Sequence, residues 1–497
     1  MQSRTARAFS LLVVGLLLGL AGEALQLWVP ERLSLALWVS AVLIGATASI
    51  RVGALTALPP ARWLAAAAWV TIPCLIWRDS PVLFGLNFLW LGVLLVVVAA
   101  SSQIRALDRV PISALIRSAL RVAGGIVAGP LPVLAGDIAW SELPIAGRTR
   151  RLASVGIGFA AAVPVLVVFG VLLGSADPLF AETMSRAFRV DLLDEVDHLV
   201  RIGVIGWIGV GILRSGFWLE GRSQALVPPR PELQATILYT FVAAIGGLLA
   251  VFVGFQAGEL FLSAQEFQAT MGVTISEYAR SGFFELVWVA TLSLPLLHLA
   301  DWCLSRRDAK AVVRFHRLTA VVIVLLTLIL ASAFYRMVLY QSFYGLTELR
   351  LYTIAFMTWL AGVFGWFAAT VLRGRRSRFV PGSLAGAFVV LLTLNVMNPD
   401  ALIAQTNLAR ARGGAPLDQH YLTGLSADAV PTILGAVGDL SPIERCGVLV
   451  RLQDRWGDDE RVGQEWNLSR RRAARGVTGI ITEAAACPRP APVSRAS

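Results

Sequence analysis

Charge is what this chain has least of. Asp, Glu, Lys and Arg make up 15% of its 497 residues, against about 25% in a soluble globular protein. Lysine is nearly absent: Lys310 is the only one, so arginine carries almost all of the positive charge behind the formal net +11. Histidine and cysteine number four each. No Cys-x-x-Cys occurs, which argues against a thiolate zinc site or a thioredoxin-like redox pair. No Walker loop, Gly-x-Ser-x-Gly or His-Glu-x-x-His occurs either, and neither a cofactor nor a metal is expected. No basic face on a soluble fold is visible, so nucleic acid is not an expected partner.

What fills the chain is hydrophobic, 56% of residues with mean hydropathy +0.69. Apolar runs of 18 or more residues recur, long enough for the roughly 30 Å of bilayer hydrocarbon. We read about eleven spans: 8–29, 33–50, 62–78, 81–101, 152–174, 199–219, 234–255, an eighth reaching Ala300 from a polar start at Thr274, then 318–338, 351–372 and 379–397. The expected fold is an all-α polytopic transmembrane bundle with a small helical C-terminal domain. Ala21-Gly-Glu-Ala24 resembles a cleavage site, but the first run is long for a signal peptide and reads as an uncleaved span.

The arginines sit between the spans. With a cytoplasmic N-terminus, the basic connectors 51–62, 102–151, 220–233, 304–317 and 373–378 all fall inside, and the acidic link 175–198 falls outside. Losing one span would invert everything after it, so the charges support the count as well as the orientation. The expected location is a bacterial inner membrane. Four regions follow: a four-span region (1–101), a cytoplasmic basic connector (102–151), a seven-span core (152–397) and an extracytoplasmic helical domain (398–497). In the connector, Ile112 to Val122 reads as an amphipathic helix on the membrane surface. The Gly/Pro-rich piece 124–135 reads as a loop or a dip into the interface. An oxidising compartment would let Cys446 and Cys487 pair. That loop is worth about 4 kcal/mol in the chain-entropy model.

The threading collects polar stretches at the outer face. They yield a candidate cluster of Asp177, Glu277, Arg280, Glu285, Arg336, Tyr340, Glu348 and Arg350. A lone charge at mid-bilayer costs about 2.5–3.5 kcal/mol, so Glu285 is expected to pair with Arg336 or Arg350. Helix-end readings compete for the rest. Thr274-x-x-Glu277 is a capping box, and Asn398-Pro-Asp400 reads as N-cap, N1 and N2 of a helix. Gly345 reads as a helix end, and Thr347 as the next helix's cap. Asp194 and His198 stand one turn apart, but so few histidines argue against a metal. Gly15-x-x-x-Gly19, Gly170-x-x-x-Gly174 and Gly382-x-x-x-Gly386 read as close helix contacts.

Several of these stretches carry a resemblance: Leu173-Gly-Ser-Ala-Asp-Pro-Leu-Phe180, Glu277-Tyr-Ala-Arg-Ser-Gly-Phe-Phe-Glu-Leu286, Arg336-Met-Val-Leu-Tyr340, Tyr344-Gly-Leu-Thr-Glu-Leu-Arg350 and Asn398-Pro-Asp400 with Asn407. The chain resembles an uncharacterised family of bacterial polytopic membrane proteins defined as a domain of unknown function. The resemblance runs from the fifth span to beyond Pro431 and brings no activity with it. Three functions remain open. The first is a non-enzymatic sensor, scaffold or assembly factor that meets a protein or lipid ligand outside, with the bilayer as its other partner. A transporter should show internal repeats and broken helices at mid-membrane, and no repeat is visible. An enzyme acting on a lipid-linked substrate outside would draw on the same acids and arginines, but their spacing fixes no reaction.

Overall fold

The computed structural model describes residues 4–28, 31–51, 61–101, 112–138, 192–217, 233–260, 283–305, 307–457 and 466–488. These are helical almost throughout, with one isolated bridge, Leu233 to Leu304, among them. Eleven long helices come first: α1 (Arg4–Ala24), α2 (Arg32–Arg51), α3 (Ala61–Trp77), α4 (Pro81–Ser101), α5 (Ile112–Ala128), α6 (Leu192–Phe217), α7 (Ala235–Leu260), α8 (Phe283–Cys303), α9 (Ala309–Tyr344), α10 (Glu348–Thr370) and α11 (Phe379–Met397). Six shorter ones follow: α12 (Pro399–Arg412), α13 (Gln419–Gly424), α14 (Val430–Ala436), α15 (Pro442–Trp456), α16 (Leu468–Thr478) and α17 (Ile481–Ala485). Nine helices among the described residues are long and apolar enough to cross a membrane, and α3 is a shorter apolar one. The protein is therefore an all-α, multi-pass membrane protein. The expected fifth span, 152–174, lies outside the described residues.

Helices α1, α2 and α6 form one bundle around Leu11, Leu18, Val42 and Leu213, and α5 packs on α6. Lipid offers no hydrophobic drive between helices, so close backbone approach must supply it. A Cβ on Gly15 would stand 2.2 Å from Val210 Cγ2, and one on Gly19 2.3 Å from the Ile202 carbonyl oxygen. Helices α7 to α11 form a second bundle around Phe315, Leu326, Met357, Phe364 and Phe367. Helices α4 and α11 meet through a buried reciprocal amide pair, Asn87 to Asn395, at 3.0 and 3.1 Å, and through a Trp90–Phe388 stack at 5.2 Å.

Helix α5 covers the stretch expected to form an amphipathic helix. It leans on α6, where Trp207 Nε1 donates to the Val127 carbonyl at 3.0 Å. The absence of a side chain at Gly125 is what admits the Ser215 hydroxyl. The chain then reverses at Gly129, whose φ of +51° is open to glycine. It returns to place Asp137 between Arg4 (2.7 Å) and Arg214 (2.9 Å). Ile116, Leu120 and Val127 are left exposed on the other side of the helix.

Helix ends gather into two faces. At one, Asp137 joins the start of α1 to the end of α6, and Asp301 joins the end of α8 to His316 (3.0 Å) and Arg376 (3.8 Å). At the other, Glu23 ends α1 beside His198 of α6 at 2.5 Å, and the C-terminal helices sit on the ends of α3, α4, α10 and α11. We call these the arginine-rich face and the tail face. Helices α12 to α17 have their own core of Ile403, Leu408, Leu422, Ile433, Leu449 and Leu452, which also takes in Leu83, Leu346 and Leu351 from the membrane helices. A disulfide joins Cys446 and Cys487.

Candidate functional site

The α3–α4 turn, Arg78-Asp79-Ser80, is buried under the tail domain. Its sequence dictates why. A helix ends on carbonyls without partners and begins on N–H groups without partners, and here both must be satisfied between membrane and tail. Arg78 reaches across to the last turn of α11, donating through Nε to the Asn395 carbonyl (2.7 Å) and through Nη2 to Val396 (3.1 Å). A cation at that end also suits the helix dipole. Asp428 answers at the start of α4: its Oδ2 accepts from the backbone N–H of Asp79 (2.6 Å) and Ser80 (3.0 Å).

The turn is gripped from two more directions. Arg32, at the start of α2, donates to the carbonyls of Arg78 (2.8 Å) and Asp79 (2.7 Å). Arg470 of α16 donates through Nε to Asp79 Oδ1 at 2.7 Å. Asn467 donates to the Arg78 carbonyl at 3.0 Å while its own Oδ1 caps α16. Residues far apart in sequence thus form one buried ionic knot.

Beside the knot lies a cavity of about 380 Å³. The starts of α2, α4 and α10 floor it with Arg32, Pro81, Val82 and Glu348. The tail domain roofs it with Ser426, Arg455, Trp456 and Arg470. Asp79 is engaged by Arg470, by Arg32 at 3.6 Å and by the Ala427 N–H at 3.1 Å. Arg455 spends one N–H on the Thr423 carbonyl (2.7 Å) and rests over the Trp456 ring at 5.1 Å. The Glu348 carboxylate has no hydrogen bond or ion pair among the described residues, although its backbone N–H donates to the Tyr421 hydroxyl at 2.9 Å. A cation and an anion with unspent capacity therefore share this space.

Behind Ser426 stands Asp400, fully buried at N2 of α12. The Ser426 hydroxyl donates to its Oδ2, and its Oδ1 has no partner among the described residues. Burial pushes this carboxyl up to about 7. The Ser426 hydroxyl pulls the other way, while nearby Glu348 and Asp428 push further up. Ser426 thus lies between the cavity and a carboxyl that titrates near neutral pH. No group of three or more His, Cys, Asp or Glu among the described residues has the geometry of a metal site.

The sequence-derived cluster maps unevenly onto this site. Asp177, Glu277 and Arg280 lie outside the described residues, as does the capping box at Thr274. Glu348 lines the cavity. Arg350 does not meet Glu285: it donates to the Gly345 carbonyl at 2.5 Å and stacks over Tyr340 at 4.1 Å. Glu285 is exposed in the first turn of α8, and among the described residues no hydrogen bond or ion pair joins it to Arg336 or Arg350, so the expected hairpin ion pair is not formed there. An exposed carboxylate near a helix N-terminus needs no partner. Arg336 is buried in α9.

The helix-end readings fare better. Asn398 caps α12 and Gly345 ends α9 at φ +77°, where a Cβ would meet Asn407 Oδ1 at 2.4 Å. Asn407 in turn clamps Leu346, accepting from its N–H (2.9 Å) and donating to its carbonyl (2.8 Å). Thr347 sits at the N-cap of α10 without a side-chain bond; the Tyr421 hydroxyl does that work. His198 turns to Glu23. Sequence reasoning missed Arg78, Asp79 and Asp428. Its one available signal was two opposite charges in a three-residue link between apolar runs.

These features define a polytopic helical membrane protein with a polar cavity under its tail domain. The family model of a domain of unknown function, DUF4153, matches residues 65–436, most of the chain, and the protein belongs to that family. The matched region starts within α3, so it reaches further toward the N-terminus than the resemblance read from the motifs. It contains Arg78, Asp79, Glu348, Asp400 and Asp428; Arg32, Arg455 and Arg470 lie outside it. No curated protein and no solved structure matches the chain.

Proposed function

We propose that this protein is a bacterial inner-membrane sensor, scaffold or assembly factor that binds a ligand in the tail-face cavity, with that face outside the cytoplasm. The observation that carries the reading is the cavity itself, where Glu348 and Arg455 offer opposite charges not consumed by the adjoining knot. Concave sites with a few convergent polar groups are where small ligands bind. The outward orientation is supported by the arginine-bearing connectors and by a disulfide in the tail domain, which suits an oxidising compartment. A transporter reading has less support: the charged clusters sit at the two faces, with the apolar core around Phe364 and Phe367 between them.

A second reading has one specific observation in its favour. Ser426 lines the cavity and bonds Asp400, whose carboxyl titrates near 7, the range a general acid or base needs. Native mass spectrometry of the protein purified in mild detergent tests the binding reading. A bound mass should be present in the wild type and lost in Glu348→Gln/Arg455→Gln. Retention of the same mass by that double variant would reject the cavity as its site. Conversion of the bound molecule to a product by the wild type, lost in Ser426→Ala, would favour the second reading; an unchanged bound mass favours the first.

A further inference from the structure

A second cavity, of about 370 Å³, lies among α2, α3, α4, α5 and α6. Its lining is entirely aliphatic, aromatic or glycine; Trp38 is the one residue with a polar atom, and its Nε1 is spent on the Leu18 carbonyl at 3.1 Å. Water needs two to four polar partners to occupy such a space, so its natural filling is hydrocarbon. The two cavities are in line. On α2, Arg32 belongs to the polar one, while Leu35, Val39 and Leu43, at three- and four-residue steps along the same helix face, belong to the apolar one. On α4, Pro81 belongs to the polar one and Phe88, Gly92 and Leu95 to the apolar one, again down one face. From Arg32 at the polar cavity to Ala46 at the apolar one, α2 rises roughly 20 Å, a large part of the hydrocarbon thickness.

We propose that the stacked cavities are the head and tail subsites for a single membrane lipid with a phosphate-bearing head. This rests on the tail-face cavity being a ligand site and names the ligand's class. Arg455 supplies a guanidinium that matches a phosphate, and Arg32 and Arg470, engaged in the knot, add positive charge beside it. The three membrane helices that begin at the cavity floor turn their positive dipole ends toward it. Glu348 accepts from a hydroxyl or ammonium on the head, and the acyl chain fills the apolar slot below.

The test uses the full chain and lipid binding by native mass spectrometry. Phosphatidylglycerol and phosphatidylethanolamine are compared with diacylglycerol, which lacks the phosphate, and with glycerol 3-phosphate, which lacks the chains. A Cβ at Gly92 meets nothing within 4 Å, so Gly92→Phe grows into the slot without a backbone clash. It should weaken phospholipid binding by more than about tenfold, the effect of excluding two or more methylenes, and leave glycerol 3-phosphate binding unchanged. Ala68→Leu, from the opposite wall, should act in the same direction. Arg455→Gln should weaken both phospholipid and glycerol 3-phosphate, and diacylglycerol should bind poorly throughout. Wild-type phospholipid affinity in folded Gly92→Phe and Ala68→Leu overturns the proposal while leaving the polar cavity a ligand site. Equal affinity for diacylglycerol and phosphatidylglycerol overturns the assigned head. Failure of the wild type to bind any of the four compounds rejects this proposal; a different mass lost on Glu348→Gln/Arg455→Gln would still uphold the broader reading.

Discussion

The two faces of the bundle employ buried carboxylates differently. At the arginine-rich face each acid links neighbours: Asp137 lies between Arg4 and Arg214, and Asp301 between His316 and Arg376. The partners of Asp137 keep substantial contact with solvent, 52% for Arg4 and 30% for Arg214. At the tail face the bonds interlock. Arg78 and Asp428, 8% and 1% exposed, hold each other, an α11 terminus and an α4 terminus at once. The Asp137 link, whose partners reach water, is replaceable by water; the interlocked knot is not. The tail face can therefore hold a cavity open beside it without the surrounding helix ends drifting.

The comparison is broken most directly by truncation. Asp428→Ala strands the Arg78 charge and two backbone N–H groups in a buried site, and should cost about 3–5 kcal/mol in thermal or denaturant unfolding in detergent. Asp137→Ala should cost less, roughly 1–2 kcal/mol, because both arginines can turn to solvent. Equal losses for the two would erase the distinction between the faces.

The disulfide should come next. Cys446 and Cys487 are 41 residues apart, and Cys446→Ser/Cys487→Ser should lose up to about 4 kcal/mol on the chain-entropy account. The loss should register in protease resistance of the tail domain before it registers in the membrane helices.

Asp400 gives a pH signature confined to the tail face. Its carboxyl is raised to about 7 from an ordinary value of 3.8. Between those values the folded chain holds a proton that the unfolded chain has released. Stability from this site is thus complete below about pH 4 and declines as pH rises through about 7. Asp400→Asn should remove that decline and leave the variant more stable than wild type at pH 8, by on the order of 4 kcal/mol. A wild type no less stable at pH 8 than at pH 5, with the variant unchanged, would contradict this. The smallest effect is expected at Glu348→Gln: within about 0.5 kcal/mol in stability, as for other partly exposed groups without a partner, but with a loss of bound ligand.

Much of the fold was readable from linear pattern. Long apolar runs identify helices whatever surrounds them, and ten of the expected spans coincide with described helices. Local chemistry was readable too: Asn398 and Gly345 act at helix ends because their own backbone and side chain do so. The knot was not. Asp428 meets Asp79 across 349 positions, and nothing near either residue announces the other. Asp79 alone reads as a turn residue between two spans. The Glu285 pairing failed for a related reason. Arg350 is engaged instead by the Gly345 carbonyl and the Tyr340 ring, partners that no pattern of opposite charges in the sequence marks. Helix α5 was read from its alternating arginines, whereas Gly125 and Trp207 decide where it packs.

The opposition of the two faces, with the tail outside, is tested most directly by thiol labelling in intact cells. Cys74 and Cys303 are buried and Cys446 and Cys487 are bonded, so the background is low. Ile443 is 85% exposed in the tail domain, and Lys310 is exposed at the arginine-rich face. A membrane-impermeant maleimide should label Ile443→Cys before lysis and Lys310→Cys only after it. Labelling of Lys310→Cys in intact cells, or protection of Ile443→Cys, would contradict the account.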